Sequence, residues 1–191
     1  MKSINEIKSR MKKLGYAFFD TGDYNLNIIG IRNKTLNTNT FNDEMYVIYR
    51  IGNQWVENAF PITTEPGFKS LTELQNKKGA AILVPGQYRG CWTIGKHRGQ
   101  YEALVQCKSV KVYRDANKDK KVDMNPKTID EGVFGINMHK AGADSKIVDN
   151  WSAGCQVFKR ACDFQSFMSI VKKSAKLYGN KFSYTLLDDW E

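Results

Sequence analysis

From Tyr16 to Leu187 the chain is a succession of short runs rich in β-branched and aromatic residues, each cut off by Gly or Pro. Such runs are too short and too densely punctuated for a helical protein and read as strands joined by turns. "NLNIIGIRN" and "EMYVIYRIGNQWVENAF" are the clearest, with Gly52-Asn53 as a hairpin turn inside the second. "GAAILVPGQYRGCWTIG" reads as strand, Pro85-Gly86 turn, strand. "EALVQCKSVKVYRD" gives one long strand or two short ones, "GVFGINMHKAG" another, and "KFSYTLLD" a closing one.

Two segments break this pattern. Ser3-Ile4-Asn5-Glu6 has the S-x-x-E capping box; Ile4, Ile7, Met11 and Leu14 then recur at helical spacing, and Gly15 ends the run. "DFQSFMSIVKKSAKLYG" carries an apolar stripe of Phe164, Phe167, Met168, Val171, Ala175 and Tyr178, with Asp163 as its expected N-cap and Gly179 at its C-terminal end. The expected fold is therefore mainly β: a β-rich α+β single domain over residues 1–191, with a helix at each side of the sheet region. Its 191 residues suffice for one sizeable core.

Composition narrows the function. The net charge is +9, but the basic residues are dispersed, with no Arg-lined helix face, zinc-finger spacing or aromatic RNA-binding signature. That weighs against nucleic acid and leaves a basic solvated surface, or long-range attraction to an anionic cell-wall polymer. No apolar run approaches the roughly 20 residues of a membrane span. "MKSINEIKSRMKK" has no apolar signal core, so the chain is expected to be cytoplasmic at synthesis. The four Cys (Cys91, Cys107, Cys155, Cys162) form no C-x-x-C, and with only two His they make a structural zinc site poor chemistry. They read as reduced thiols, one of which stands out.

Cys155 follows Ser152-Ala153-Gly154, and His139 lies sixteen positions earlier in "FGINMHKAG". A nucleophilic Cys needs a base and a place for the oxyanion formed on attack. Small residues before it let the backbone approach a substrate and offer N–H groups. The residues alone leave two readings open, a Cys–His catalytic pair and a buried Cys beside a satisfied His.

The order of motifs adds to this. "FGINMHKAG…NWSAGCQVF" resembles the catalytic signature of the L,D-transpeptidase (YkuD-like) family, a His on a strand followed after a gap by Ser-His-Gly-Cys. "VIYRIGNQWVENAFPITTEPG" looks like that family's opening hairpin and turn, and "VPGQYRGCWTIGKHRG" like its Thr-Pro-x-Gly-x-Phe-x-Ile segment. The resemblance covers about Met45 to Leu187, after the helix of residues 1–15.

The resemblance implies an L,D-transpeptidase-like β-sandwich or barrel. It implies Cys155 as nucleophile, His139 as base, the Lys140 carbonyl as the group orienting the His139 ring, and N–H groups of Gly154 and Cys155 as oxyanion hole. Ser152, Gln156, His97 and Arg160 are the expected substrate contacts, with a surface role as the alternative for His97. Two positions depart from the family: Ala153 stands where it has His, and Val157 where it has Arg or Asn. The implied activity is acyl transfer on peptidoglycan stem peptides through a Cys155 thioester, with no cofactor required. The setting it fits is a phage-associated wall-cleaving enzyme that acts after lysis or delivery on a virion. The competing class is a non-catalytic wall-binding or virion protein that keeps the fold.

"DANKDKKVDMNP" raises a separate question. Asp115, Asn117, Asp119 and Asp123 fall at positions one, three, five and nine of a calcium loop, and Lys121 would offer its carbonyl at seven. Lys120 replaces the usual Gly, and Pro126 the usual Glu. The alternatives are a structural calcium ion and a polar hairpin tip.

Overall fold

The computed structural model describes residues 1–35 and 37–191. In chain order the elements are α1 (Ile4–Lys13), β1 (Asn27–Arg32), β2 (Asp43–Ile51), β3 (Gln54–Thr63), α2 (Phe68–Thr72), β4 (Ala80–Leu83), β5 (Gly86–His97), β6 (Tyr101–Gln106) and β7 (Val110–Asp115). A single 3₁₀ turn (Pro126–Thr128) then leads to β8 (Asp130–Gly132), β9 (Met138–Lys140), β10 (Gln156–Phe158), α3 (Ala161–Tyr178) and β11 (Phe182–Asp188). Strand makes up 38% of the chain and helix 19%, so the mainly-β class holds, with the N-terminal helix and a later one in place.

Among the described residues, eight strands close into a barrel in the order β1-β11-β5-β6-β9-β10-β3-β2, and β4-β7-β8 form a separate small sheet. The β2–β3 hairpin turns at Gly52-Asn53, where Ile51 pairs with Gln54 and Gly52 has φ +57°. Two neighbouring pairs are parallel: β1 with β11, and β9 with β10.

Every residue of β1 is buried, because the strand is covered on both faces. Ile28 faces the main core, which also holds Trp92, Phe158 and Tyr184. Ile29 and Ile31 face outward and pack with Ile7 and Met11 of α1. The capping box forms as expected, with Ser3 accepting from the Glu6 N–H and the Glu6 carboxylate from the Ser3 N–H. Leu14, at the end of the apolar series, is exposed. On the other side α3 lays Phe164, Phe167, Met168 and Val171 on the core, with Phe158 and Phe167 rings 4.9 Å apart.

Several expected boundaries move. Asp163 is not the N-cap of α3. Arg160 is, without a side-chain cap bond, and Asp163 sits at the third helical position paired with the Arg160 guanidinium (Nε–Oδ2 2.7 Å). There its charge still favours the helix N-terminus. Tyr178 turns out of the apolar stripe to solvent. "GVFGINMHKAG" is not one strand: Gly135 has φ +76°, and the segment splits into the end of β8 and β9. The Pro85-Gly86 turn passes the chain from the small sheet to the barrel, and "EALVQCKSVKVYRD" passes it back, so β6 and β7 are separate strands. The short helix α2 has no apolar period long enough to signal it.

The small sheet is tied to the barrel by Arg32, which is 1% exposed. Its Nε donates to Thr64 Oγ1 (2.9 Å) and its terminal nitrogens to the carbonyl of Leu83 in β4 (3.0 Å) and to Met124 Sδ (3.3 Å). Glu65 lies 4.0 Å from its Nε, and buried Asp43 accepts from the Thr64 N–H, the Thr64 hydroxyl and the Asn33 N–H. Removing one member of such a buried set strands the others without partners. Arg32→Met is expected to lower unfolding free energy by about 3–5 kcal/mol. Urea denaturation would show this as a lower midpoint at unchanged slope.

Candidate active site

A parallel strand pair needs a crossover connection. Between β9 and β10 that connection is residues 141–155, and it carries the Ser-Ala-Gly-Cys stretch. It is pinned along its length. The N–H groups of Val148 and Asp149 donate to the carbonyl and side-chain oxygens of Asn39, and Gly67 N–H donates to the Ser152 carbonyl (3.0 Å). At Gly154, φ is +124° and a Cβ would overlap the Ala81 carbonyl of β4, so only glycine lets the loop press on the small sheet.

The register sets which side chains meet. Val157 pairs with His139 and Gln156 with Met138, which places Cys155 beside Asn137. Residues opposite each other in a parallel pair project to the same face, and the period is two. Asn137, His139, Cys155 and Val157 therefore share one face, while Met138 enters the core. The Asn137 N–H donates to Cys155 Sγ (3.4 Å), and the half-buried thiol donates to the Gly135 carbonyl (3.3 Å). Among the described residues no hydrogen bond joins Sγ to the His139 ring, so the thiol must leave Gly135 before His139 can take its proton.

The tautomers follow from the neighbours. His139 Nδ1 lies 2.9 Å from the Lys140 carbonyl, which can only accept, so Nδ1 carries the hydrogen and Nε2 the lone pair. Tyr101 Oη also donates to that carbonyl (3.4 Å). The Gln106 N–H donates to Asn137 Oδ1 (2.9 Å), which fixes the amide and leaves Nδ2 to donate to His97 Nδ1 (3.1 Å). The His97 ring stacks on His139, with centroids 4.0 Å apart.

Burial above all, then the electrostatic coupling to His97, holds His139 neutral, with its pKa lowered from 6.5 to about 3. Burial likewise raises the Cys155 thiol above its ordinary value, against smaller lowering effects from the Asn137 N–H and the Arg98 charge. The site is thus a neutral thiol beside a neutral imidazole, able to act by general-base rather than preformed-thiolate chemistry.

The other expected site residues are placed as follows. His97 is buried and stacked on His139, so it is not a surface residue. Ser152 is wholly buried; its Oγ donates to the Cys155 carbonyl (3.0 Å) and accepts from the Gly154 N–H (3.1 Å), so it braces the loop and occupies one expected oxyanion donor. The Cys155 N–H has no acceptor among the described residues. Gln156 is buried too, donating to the Gly154 carbonyl and accepting from Tyr184 Oη (2.8 Å). Arg160 is held by Asp163 at the head of α3. Val157 is wholly buried, on the His139 face of the sheet. Asn137 and Tyr101 escaped the sequence reading, although Asn137 stands one strand period before His139.

The Asp115–Asp123 loop folds on itself. Asp115 Oδ2 accepts from the Asp123 N–H (3.0 Å), Asn117 Nδ2 donates to Asp123 Oδ2 (2.6 Å), and Asp119 Oδ1 accepts from the Lys121 N–H (2.8 Å). Lys118 and Lys120 have positive φ, where the calcium-loop pattern has one Gly. Among the described residues no three His, Cys, Asp or Glu side chains are grouped to hold a metal ion, and no helix is long and apolar enough to cross a membrane.

No family model, curated protein or solved structure matches this chain.

The lowered His139 pKa has a signed consequence. Between about 3 and 6.5 the unfolded chain holds a proton on this residue that the folded chain does not, so folding weakens as pH falls through that window. Glu65, whose pKa burial raises from 4.5 to about 7, acts in the opposite sense, weakening the fold as pH rises through its own window. Melting temperatures of wild type and His139→Gln separate the two. The gap between them is expected to shrink from pH 7 to pH 4, because only wild type loses the His139 contribution.

Proposed function

We propose that the chain is a cysteine acyltransferase or peptidase acting on peptidoglycan stem peptides, as its resemblance to the L,D-transpeptidase (YkuD-like) family implies. The observation that carries the reading is one piece of geometry. His139, with Nε2 left unprotonated by the Lys140 carbonyl, shares a sheet face with Cys155, the residue that leads into the next parallel strand.

In the first step Nε2 takes the Cys155 proton as sulfur bonds to a substrate carbonyl carbon, whose oxygen becomes an oxyanion facing the Cys155 N–H. Collapse breaks the C–N bond, and the imidazolium gives its proton to the leaving amine. In the second step an acceptor amine or water, deprotonated by Nε2, attacks the thioester, and the proton returns to sulfur. An amine acceptor gives a cross-link and water gives hydrolysis. The net charge of +9 suits an anionic wall polymer. A phage-associated wall-cleaving enzyme is the setting we favour.

The hydrogen bond from Cys155 to the Gly135 carbonyl favours a second reading, a wall-binding or virion module in which the thiol is never released. Incubating wild type and Cys155→Ala with purified stem peptides separates the two by mass spectrometry. The enzyme reading expects a thioester adduct and cleaved or cross-linked products from wild type only. Identical mixtures from both proteins would sink it.

A further inference from the structure

The turn joining β5 to β6 holds an arginine where the backbone favours Gly, Asn or Asp. Gln100 N–H donates to the His97 carbonyl (2.9 Å), which puts Arg98 and Gly99 at the two central positions of a β-turn. Both have positive φ, +49° and +73°. Asn-Gly is the favoured pair in a hairpin turn of this hand, and the Cβ of an arginine in the left-handed region crowds the following carbonyl oxygen. Strain of this kind is retained where the side chain serves a purpose.

Its surroundings point to that purpose. Arg98 directly follows His97, whose ring lies on His139. It lines a cavity of about 240 Å³ with Lys69, Ser70, Gln75, Asn150 and a single acid, Glu73. Ser70 and Gln75 also line a second cavity of about 280 Å³ that reaches Ala153, two residues before the nucleophile. Among the described residues neither Arg98 nor Lys69 is held in an ion pair. The Arg98 charge is felt at Cys155 and at His139, where it favours thiolate and neutral imidazole respectively.

We propose that Arg98 is a specificity-determining residue of the Cys155 site, binding a carboxylate of the peptide substrate close to the carbonyl under attack. Lys69, which lines the same cavity, adds to the positive field. This rests on the acyl-transfer reading for its substrate, but the cation's presence at the nucleophile can be tested without turnover.

The test compares Cys155 alkylation by iodoacetate, which carries a carboxylate, with alkylation by neutral iodoacetamide. The label on Cys155 is followed by peptide mapping. Both reagents need the same thiolate, so their rate ratio cancels any change in thiol pKa and reports attraction of the carboxylate. Arg98→Asn keeps a turn-favouring residue before Gly99 and removes the charge. Its ratio is expected to fall about threefold or more, the scale of one partly screened charge contact, while Arg98→Lys stays near wild type. A wild-type ratio in Arg98→Asn overturns the proposal. Its melting temperature should equal or exceed that of wild type; should the variant unfold, Arg98→Gly gives the same comparison, since Gly fits the turn. With stem peptides, wild type should prefer a free carboxylate over its amide and Arg98→Asn should lose the preference. Equal discrimination by both proteins overturns the substrate assignment. If neither protein turns over any peptide, the acyl-transfer reading fails and the substrate assignment with it; the alkylation ratio still decides whether the cation serves Cys155.

Discussion

Two parallel strands cannot be joined by a tight turn, and the candidate site is built on that restriction. Because β9 and β10 run the same way, the chain must leave the sheet at Ala141 and return at Gln156. The excursion is anchored by Asn39, by Gly67 and by the close approach of Gly154 to Ala81, and each anchor belongs to a different part of the fold. The loop therefore delivers Cys155 to a fixed place beside Asn137 and on the His139 face. Supports of this kind fix the position of a loop side chain that would otherwise wander.

Around the pair, polar groups are arranged in a chain in which each fixes the next. The backbone of Gln106 orients the Asn137 amide, the amide orients His97, and His97 packs on His139. The Gln106 side chain meanwhile accepts from the N–H groups of Phe134 and Ile136, just upstream of Asn137. Networks of this type are stable only when every member is satisfied. The cost of burying two imidazoles is met by keeping both neutral and stacked, which explains why a site with two histidines carries no imidazolium at rest.

Local signals served well where they were strong. The Ser3–Glu6 capping box, the Gly52-Asn53 turn and the α3 stripe act within a few residues, and each appears in the fold. The short strands were legible as strands but not as neighbours. Nothing in "GQYRGCWTIG" says that β5 pairs with β11 rather than with β4, because partner choice depends on contacts distant in sequence. The split at Gly135 hid for a related reason: an apolar run reads as one strand until a backbone with positive φ interrupts it. In the site, His139 and Cys155 could be singled out by residue type alone. The burial of Ser152 and Gln156 could not be foreseen, since it depends on how the loop packs, and Arg98 drew attention only through its backbone angle and its cavity.

The parallel contact between β1 and β11 sets an order on how the molecule can be made. Ile28 lies against Tyr184, so the barrel closes on residues from nearly opposite ends of the described chain. Loop-closure entropy makes such long-range pairing slow. A ribosome emits Asn27–Arg32 before Phe182–Asp188, and the strand's second edge finds its partner only after the latter have emerged. Until then β1 presents an unpaired edge and apolar residues on both faces, the combination that promotes self-association of nascent chains. Helix α1 precedes β1 in the chain and packs on Ile29 and Ile31 in the finished fold, so it is the neighbour placed to cover those two side chains during that wait.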